Sequence, residues 1–370
     1  MQRRPLGQTG EDVSILGAGG FHLLEISVAD AGLLLNRYLD AGGNYIETAA
    51  DYGHGASETK IARGVAHRRN EFLLASKVSA RDKQGALNIL DRSLKILGTD
   101  HLDIWYMHGV QDVATAEAIL APGGALEAAE QAKQAGKIRF VGISGHGQPQ
   151  GLLHALPRYH FDALMAPINY YDHFSFPDIQ GRLFPLAQQQ GTAIIAMKAV
   201  ADGYLWRSAA QAFRYTWSQP VAMAVAGMNN ADMLSADLAF AENFTPMTAE
   251  EIAHLYATAP EYRHYVCRQC RACQVVAGIH LSRIFELEGW YDRQMWDGVV
   301  INPEDFALRM RLGPWFAQQQ LARDTYAHEA IQIDPDADYS DLNGLCAHGI
   351  DIDRKLKIAH AKLAGDGMLY

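Results

Sequence analysis

The sequence predicts an α/β protein in which a (β/α)8 TIM barrel is followed by a C-terminal, mainly helical extension. Three observations predict this fold class. Short apolar segments recur about every 20 to 30 residues, longer segments of helical period lie between them, and the alternation stops near Pro260. Strands that are buried on both faces read as continuous apolar runs, as in a parallel barrel. We therefore expect the barrel over residues 1–260 and the extension over residues 261–370.

Eight apolar segments are the candidate strands. They are VSILG (13–17), NYIET (44–48), FLLASK (72–77), LDIWYMH (102–108), IRFVGIS (138–144), FDALMAPIN (161–169), TAIIAMK (192–198) and VAMAVAGM (221–228). Between them, residues 28–43 and 86–100 carry apolar residues at spacings of three and four, which is typical of helices. A doubly wound sheet would also alternate, but its phosphate-binding GxGxxG is absent from LGAGGFHLL.

The extension has a different pattern from the barrel. Helical periodicity covers residues 280–296 and 303–326, and a turn-rich acidic loop covers residues 334–344 before a last helix. The sequence shows no internal repeat other than the alternating strand and helix. We expect the extension to be a helical unit of its own.

Composition excludes several classes of protein. The net charge is −10 and the longest basic run is the pair Arg68-Arg69, which argues against nucleic-acid binding. The apolar runs fall short of the roughly 20 residues of a membrane span, and no secretion signal opens the chain. We expect a cytoplasmic protein with a small-molecule substrate. A redox partner or an oligomer stays open.

Polar residues that end the apolar strands are the candidates for chemistry, because the carboxyl ends of barrel strands form one mouth. Glu47 and Tyr52 follow the second strand, Lys77 ends the third, and His108 ends the fourth. Each of them alone is more often structural. Four at successive strand ends indicate a reactive site.

Six motifs, read together, resemble the aldo-keto reductase family. They are RRPLGQTGEDVSILGAGG, TAADYG, SK, DIWYMHG, GKIRFVGISGH and AGMNN, and they run from residue 3 to about residue 245. The resemblance implies a barrel that reduces carbonyls or oxidises alcohols with a nicotinamide cofactor. It also implies that Tyr52 is the proton donor, that Lys77 and Glu47 tune it, and that His108 orients the carbonyl.

Free tyrosine has a pKa of about 10, so a nearby lysine should favour its phenolate and speed proton transfer. One departure from the family concerns the acid. The family has Asp where this chain has Glu47, and one more methylene moves the carboxylate by roughly 1.5 Å. The charge is retained, whereas the geometry differs.

The resemblance also implies a set of cofactor-binding residues. They are Gly19, Gly20, Ser144, Asn169, Lys198, Gly227, Met228, Asn229 and Asp237. A Gln that is common in the sixth strand is Met165 here, and the places of a basic residue and an Asn near the adenosine are Met233 and Asp237. An Asp near a 2′-phosphate repels it, so we expect NAD to be preferred over NADP.

The four cysteines of the chain look like metal ligands. A branch of the family ends in two runs of the form CxxCxxCxxxCP, and in such two-cluster arrangements the last Cys of each run ligates the other cluster. In this chain the first run keeps its first three cysteines, but Val275 or Val276 stands in the place of its fourth cysteine. The second run keeps only its fourth cysteine, Cys346. The ligands of one 4Fe–4S cluster therefore survive, namely Cys267, Cys270, Cys273 and Cys346. Zinc, or no metal, stays an alternative.

We expect an oxidoreductase acting on a small carbonyl or alcohol, with a sugar or polyol favoured by the mixed residues of the mouth. These residues are His22, His146, Tyr170, Tyr171, His173, Phe174, Tyr204 and Trp206. The alternatives are a redox-neutral epimerase or lyase with tightly bound NAD, and a non-catalytic barrel that binds cofactor or a partner. Whether the cluster is structural or redox-active stays open.

Overall fold

The structure is a computed structural model that describes residues 1–203, 205, 208–258, 267, 273, 276, 278–292, 319–346 and 348–365. The described chain divides into two compact units. The first contains Met1–Ala199 and Ser208–Met247, and the second contains the described residues of 200–207 and those from Thr248 onward. The domain boundary predicted at residue 260 lies outside the described residues.

The first unit is a closed barrel of eight parallel strands, as predicted. An antiparallel hairpin of β1 (Arg3–Pro5) and β2 (Asp12–Ser14) precedes the barrel. The barrel strands are β3 (Leu16–Gly19), β4 (Tyr45–Glu47), β5 (Leu73–Val78), β6 (Leu102–Met107), β7 (Ile138–Ser144), β8 (Ala163–Pro167), β9 (Ala193–Met197) and β10 (Met223–Gly227). Each strand pairs with its sequence neighbours, and β10 closes the ring against β3.

The first candidate strand, VSILG, is divided between two elements. Val13 and Ser14 belong to the hairpin, whereas the barrel strand begins at Leu16. The hairpin packs Leu6 and Val13 into the apolar core inside the barrel, together with Tyr45, Tyr106 and residues of the later strands. The hydroxyls of Tyr45 and Tyr106 lie 3.0 Å apart in that core, so each buried hydroxyl has a partner.

Helices surround the barrel and follow its strands. They are α1 (Val28–Asp40), α2 (Ala56–Val65), α3 (Lys83–Leu97), α4 (Val113–Leu120), α5 (Ala125–Gln134), α6 (Gln150–Ala155), α7 (Tyr170–Ser175), α8 (Phe184–Gln190), α9 (Ala209–Trp217) and α10 (Ala231–Glu242). Helix α1 begins where Ser27 Oγ accepts a hydrogen bond from Asp30 N at 3.1 Å, and it buries Leu34, Leu35 and Leu39. Side-chain caps of the same kind begin α3, α4, α7 and α10.

The second unit is helical in its described residues. Its helices there are α11 (Ala249–Thr258), α12 (Leu281–Asp292), α13 (Gln319–His328) and α14 (Ile352–Ala364). The last three pack around Leu287, Tyr326 and Leu356, and the buried carboxylate of Glu288 contacts the ammonium groups of Lys355 and Lys362. The periodicity of 280–296 and 303–326 thus corresponds in part to α12 and α13, while residues 293–318 lie outside the described residues.

Candidate active site

The four residues predicted to carry chemistry lie at one end of the barrel. Glu47 is the last residue of β4, Lys77 lies near the end of β5, and His108 directly follows β6. Tyr52 lies in a turn after β4, at residues 52–55. Because the strands are parallel, these ends form one mouth.

The turn that carries Tyr52 has an unusual backbone. Gly53, His54 and Gly55 have φ angles of 59°, 54° and 98°, which lie in the left-handed region that glycine adopts without strain. Such a turn reverses the chain immediately after Tyr52 and starts α2 at Ala56. The sequence YGHG thereby holds the phenol at the mouth.

Lys77 connects the acid and the phenol. Its Nζ contacts Glu47 Oε2 directly, donates to the Tyr52 hydroxyl oxygen at 3.0 Å and donates to Thr48 O at 2.9 Å. Glu47 and Lys77 are buried, with exposed fractions of 5% and 2%. The longer arm of Glu47 therefore reaches Lys77 in this structure.

Burial has the largest effect on the pKa values of Lys77 and Tyr52. Burial lowers the pKa of Lys77 well below its usual value, while the adjacent Glu47 carboxylate opposes that effect because an anion favours the ammonium form. Burial, and to a smaller extent the charge of Asp51, raises the pKa of Tyr52. This differs from the expectation that Lys77 would favour the phenolate, because loss of water outweighs the single cation. Tyr52 therefore keeps its proton at neutral pH.

His108 lies beside the phenol and beside an acid that the sequence interpretation missed. The His108 and Tyr52 rings are 6.2 Å apart, and His108 Nδ1 is 3.7 Å from Asp51 Oδ2. Burial lowers the pKa of His108, against the raising effect of Asp51, and the nearby imidazole of His108 lowers the pKa of Asp51. Asp51 directly precedes Tyr52, and that position at a strand end was the signal that could have identified it.

Most of the predicted cofactor residues also lie at the mouth. Those at or just after strand ends are Gly19, Gly20, Ser144, Asn169, Lys198, Gly227, Met228 and Asn229. Asp237 lies instead in the second turn of α10, where burial raises its pKa to about 7. Its negative charge is therefore only partly present at neutral pH.

Asn169 has a structural role in this conformation. Its Oδ1 accepts from Asp172 N at 2.8 Å and so caps α7, while its Nδ2 donates to Asp172 Oδ2 at 2.7 Å and to Lys198 O at 3.0 Å. Both amide hydrogens have protein acceptors. If Asn169 binds the carboxamide of a nicotinamide without rearranging, it can only accept a hydrogen bond through Oδ1, because both of its amide hydrogens are already in use.

Another acid that the sequence interpretation missed, Glu25, follows the first barrel strand and contacts a residue that follows the last one. Glu25 is fully buried, its Oε1 is 2.6 Å from His22 Nδ1, and its Oε2 accepts from Asn229 Nδ2. The His22 ring lies against Gly227, where a methyl group would overlap it. Glu25 thus joins the segment after β3 to the segment after β10.

The residues predicted to line the mouth are placed differently from one another. The His146 ring is 6.2 Å from that of His108, close to the reactive groups. Tyr170 and Tyr171 are buried in α7, and His173 has Gln180 as a partner. Tyr204, Trp206 and the side chain of Phe174 lie outside the described residues. His146 therefore lies beside His108, and His22 packs against Phe21, whose ring contacts that of Tyr52.

Three of the four predicted metal ligands are described, and each belongs to or packs against one apolar cluster of the second unit. Cys273 belongs to the apolar cluster of the second unit, and Cys267 and Cys346 pack against that same cluster. Cys270 lies outside the described residues. Among the described residues, no group of three or more His, Cys, Asp or Glu side chains is arranged to hold a metal ion.

The described helices also include none long and apolar enough to cross a membrane.

A parallel barrel with a Lys-bridged carboxylate and phenol at its mouth defines a class of barrel enzymes that can transfer a proton to or from a bound oxygen. The sequence model of the Aldo/keto reductase family matches residues 15–263. The chain belongs to that family and is an NAD(P)-dependent oxidoreductase.

Individual relatives agree with this assignment. The holo form of aldo-keto reductase AKR11C1 from Bacillus halodurans is similar with a TM-score of 0.59 and 26% identity, over 70% of this chain and 96% of that one. The oxidoreductase YqkF of Bacillus subtilis is 27% identical, and the L-galactose dehydrogenase of Arabidopsis thaliana is 26% identical. Each of these two matches covers 55% of this chain and 67% of the relative.

Proposed function

We propose that the protein interconverts a small carbonyl and its alcohol, with Tyr52 as the proton donor and NAD as the preferred cofactor. The observation that carries the proposal is the contact of Lys77 with both Glu47 and the Tyr52 hydroxyl at the mouth of the barrel. When bound, the nicotinamide supplies or accepts the hydride. The protein residues then have to supply or accept one proton and hold the carbonyl.

The electrostatics fit proton transfer from a neutral phenol. Lys77 donates to the phenolic oxygen, so the hydroxyl hydrogen of Tyr52 is not used in that bond. The oxygen of a carbonyl undergoing reduction would become strongly basic and would take this hydrogen from Tyr52. The ammonium of Lys77 stabilises the phenolate that remains, and Glu47 holds the ammonium in place. Solvent then returns a proton to Tyr52, which balances the reaction.

His108 is proposed to orient the carbonyl. Its ring edge faces the Tyr52 ring with an interplanar angle of 80° and a centroid distance of 6.2 Å. An imidazole N–H within hydrogen-bond range of the same oxygen would place that oxygen beside the phenol. Proton transfer and carbonyl binding would then converge on one atom.

The preference for NAD rests on the surroundings of α10. Met233 and Asp237 provide no cation for a 2′-phosphate, which favours NAD although the charge of Asp237 is partly lost. Arg37 approaches the same helix and donates to Ser235 Oγ at 2.8 Å. Ser235 lies about 200° around the helix from Met233 and from Asp237, so this guanidinium is on another face.

Titration calorimetry with the two dinucleotides tests the cofactor proposal. NAD should bind more tightly than NADP, and Met233→Arg should strengthen NADP binding by about tenfold, one charge-assisted contact. Arg37→Met is the matched control and should change neither affinity. Tighter NADP binding by the wild type that is lost in Arg37→Met would contradict the proposal and identify Arg37 as the phosphate ligand.

Tyr52→Phe tests the proton donor. The variant should fold and bind dinucleotide like the wild type, and turnover of small aldehydes should fall by at least about a hundredfold, because only the transferable proton is removed. Activity at the wild-type level would refute the assignment.

Dinucleotide that stays bound through purification and is never released would support a redox-neutral reaction instead.

The substrate is proposed to be a sugar or polyol, or the matching carbonyl compound. His22 and His146 add hydrogen-bonding groups to the mouth near Tyr52, and one similar protein is named an L-galactose dehydrogenase. Hydroxyl-rich substrates suit such groups better than long apolar carbonyls do. Comparing kcat/KM for sugars with kcat/KM for alkyl aldehydes of equal length tests this, and a preference for the alkyl series would refute it.

We also propose that Cys267, Cys270, Cys273 and Cys346 hold one 4Fe–4S cluster. The support is the ligand spacing and the packing of the three described cysteines around one apolar cluster of the second unit. Protein purified without oxygen should contain about four iron and four sulfide per chain, because ligands for only one cluster remain. Zinc in place of iron would show a tetrahedral thiolate site instead.

A further inference from the structure

Glu25 is a fully buried carboxylate that the proposed chemistry does not use. Its two oxygens have different partners, since Oε1 is 2.6 Å from His22 Nδ1 and Oε2 accepts from Asn229 Nδ2. An ionised carboxylate only accepts hydrogen bonds. His22 must therefore carry its hydrogen on Nδ1, and the amide of Asn229 must turn its NH2 group toward Glu25.

The orientation set by Glu25 extends to the start of α10. Because Asn229 donates to Glu25, its Oδ1 faces Asn230 and accepts from Asn230 Nδ2 at 3.1 Å. Asn230 in turn accepts from Met233 N at 2.7 Å and so caps the helix. One buried charge thus fixes the direction of two side-chain amides and the cap of a helix.

Glu25 lies in a segment that is itself firmly held. The buried ammonium of Lys60 donates to the carbonyl oxygens of Leu23, Leu24 and Ile26 at 2.8 to 3.2 Å. At the start of the segment, the Phe21 ring lies 5.1 Å from that of Tyr52. The segment therefore connects the ends of β3 and β10 with the proton donor.

We propose that Glu25 is a positioning residue for dinucleotide binding, which acts by fixing the Nδ1–H tautomer of His22 and the amide orientation of Asn229. The inference rests on the proposed function and on the expectation, implied by the family resemblance, that Gly227, Met228 and Asn229 form part of the dinucleotide site. His22 packs on Gly227 within that set. The tautomer decides whether the other ring nitrogen donates or accepts, and so which groups of a ligand it can contact.

Glu25→Gln is the informative substitution, because it keeps shape and volume while one oxygen becomes an NH2 group. That NH2 group faces either His22 Nδ1–H or Asn229 NH2, and two donors cannot bond each other. Either His22 changes tautomer or the Asn229 amide reverses. Glu25→Asp keeps the charge and serves as the conservative comparison.

Two measurements test the proposal. In calorimetry, Glu25→Gln should bind NAD about tenfold more weakly than the wild type, Glu25→Asp should lose less, and kcat at saturating cofactor should change by less than about twofold. In ¹⁵N NMR, wild-type His22 should be protonated at Nδ1 and its ring signals should move when NAD is added. Glu58→Gln is the matched control, because Glu58 is equally buried but bonds Ser76 on β5, and its NAD affinity should be unchanged.

The outcomes separate this inference from the proposed function. A wild type that binds NAD, together with a folded Glu25→Gln that binds it equally well, would overturn the role of Glu25 alone. His22 signals that do not respond to NAD would do the same without any variant. A wild type that binds neither dinucleotide would overturn the proposed function and this inference with it.

Discussion

At the scale of single residues, Asp51 should control the protonation of His108. Its carboxylate lies 3.7 Å from His108 Nδ1 and opposes the effect of burial and of the Lys77 and Arg81 charges, which lower the pKa of His108. Because an anion favours the imidazolium, Asp51→Asn should move the pKa of His108 further down. The limb of the pH profile of kcat/KM that reports His108 should move to lower pH, and an NMR titration of the His108 ring should follow it.

The size of the effect and its control are set by the exposure of Asp51. Its side chain is 42% exposed, and ion pairs of that kind contribute up to about 1 kcal/mol, so the optimum kcat/KM should fall less than about fivefold. Asp51→Glu retains the charge and should keep the pH profile near that of the wild type. A profile for Asp51→Asn that matches the wild type would show that the ion pair does not act on His108.

At the scale of elements, the segment Phe21–Ile26 depends on α2 through Lys60. Lys60→Met removes the donor of three backbone carbonyl hydrogen bonds while keeping the aliphatic arm. Buried carbonyls without donors cost about 1–3 kcal/mol, so the free energy of unfolding should fall by roughly that amount. NAD affinity should fall as well, because the segment carries His22 and Glu25. Denaturant unfolding and calorimetry measure the two effects.

The matched control for Lys60 is an exposed lysine in an ion pair. Lys83 Nζ lies 3.6 Å from Glu127 at the surface of α3 and α5, and such pairs contribute little. Lys83→Met should change the free energy of unfolding by less than about 0.5 kcal/mol and leave NAD affinity unchanged. If Lys60→Met is equally mild, the carbonyl contacts are not what holds the segment.

At the scale of the whole molecule, the proposed cluster ties distant parts of the chain together. Cys346 packs on the same apolar cluster as Cys273 although the long stretch 274–345 separates them. Cys346→Ser should therefore lose iron as Cys270→Ser does, and both variants should be cut faster in limited proteolysis between residue 260 and the C-terminus. Ser340→Ala, in the exposed turn before Cys346, should retain iron and protease resistance.

The opposite result would contradict the assignment of Cys346 as a cluster ligand. Iron content and protease resistance that survive in Cys346→Ser but not in Cys270→Ser would show that Cys346 is not a ligand. The explanation that Val275 or Val276 stands in place of a cysteine that would have ligated a second, lost cluster would then be wrong. Metal analysis of the two variants, purified side by side without oxygen, decides it.

The sequence by itself determined the barrel and the strand-end positions of the four residues predicted to carry chemistry. Buried parallel strands leave continuous apolar runs, and residues at their carboxyl ends must share one mouth, so Glu47, Tyr52, Lys77 and His108 could be located without coordinates. The spacing of apolar residues by three and four likewise predicted the helices α1 and α3. Such features depend on neighbouring residues in the chain, which is why a sequence pattern carries them.

Only the tertiary structure decided which polar groups meet. Glu25 and Asn229 are about 200 residues apart, and Lys60 reaches carbonyl groups more than 30 residues away, so no local pattern could pair them. The direction of the Tyr52 pKa also depended on burial, which closure of the barrel creates and which outweighs the charge of Lys77. Desolvation and long-range contacts are properties of the folded molecule, because they arise only when distant segments exclude water together.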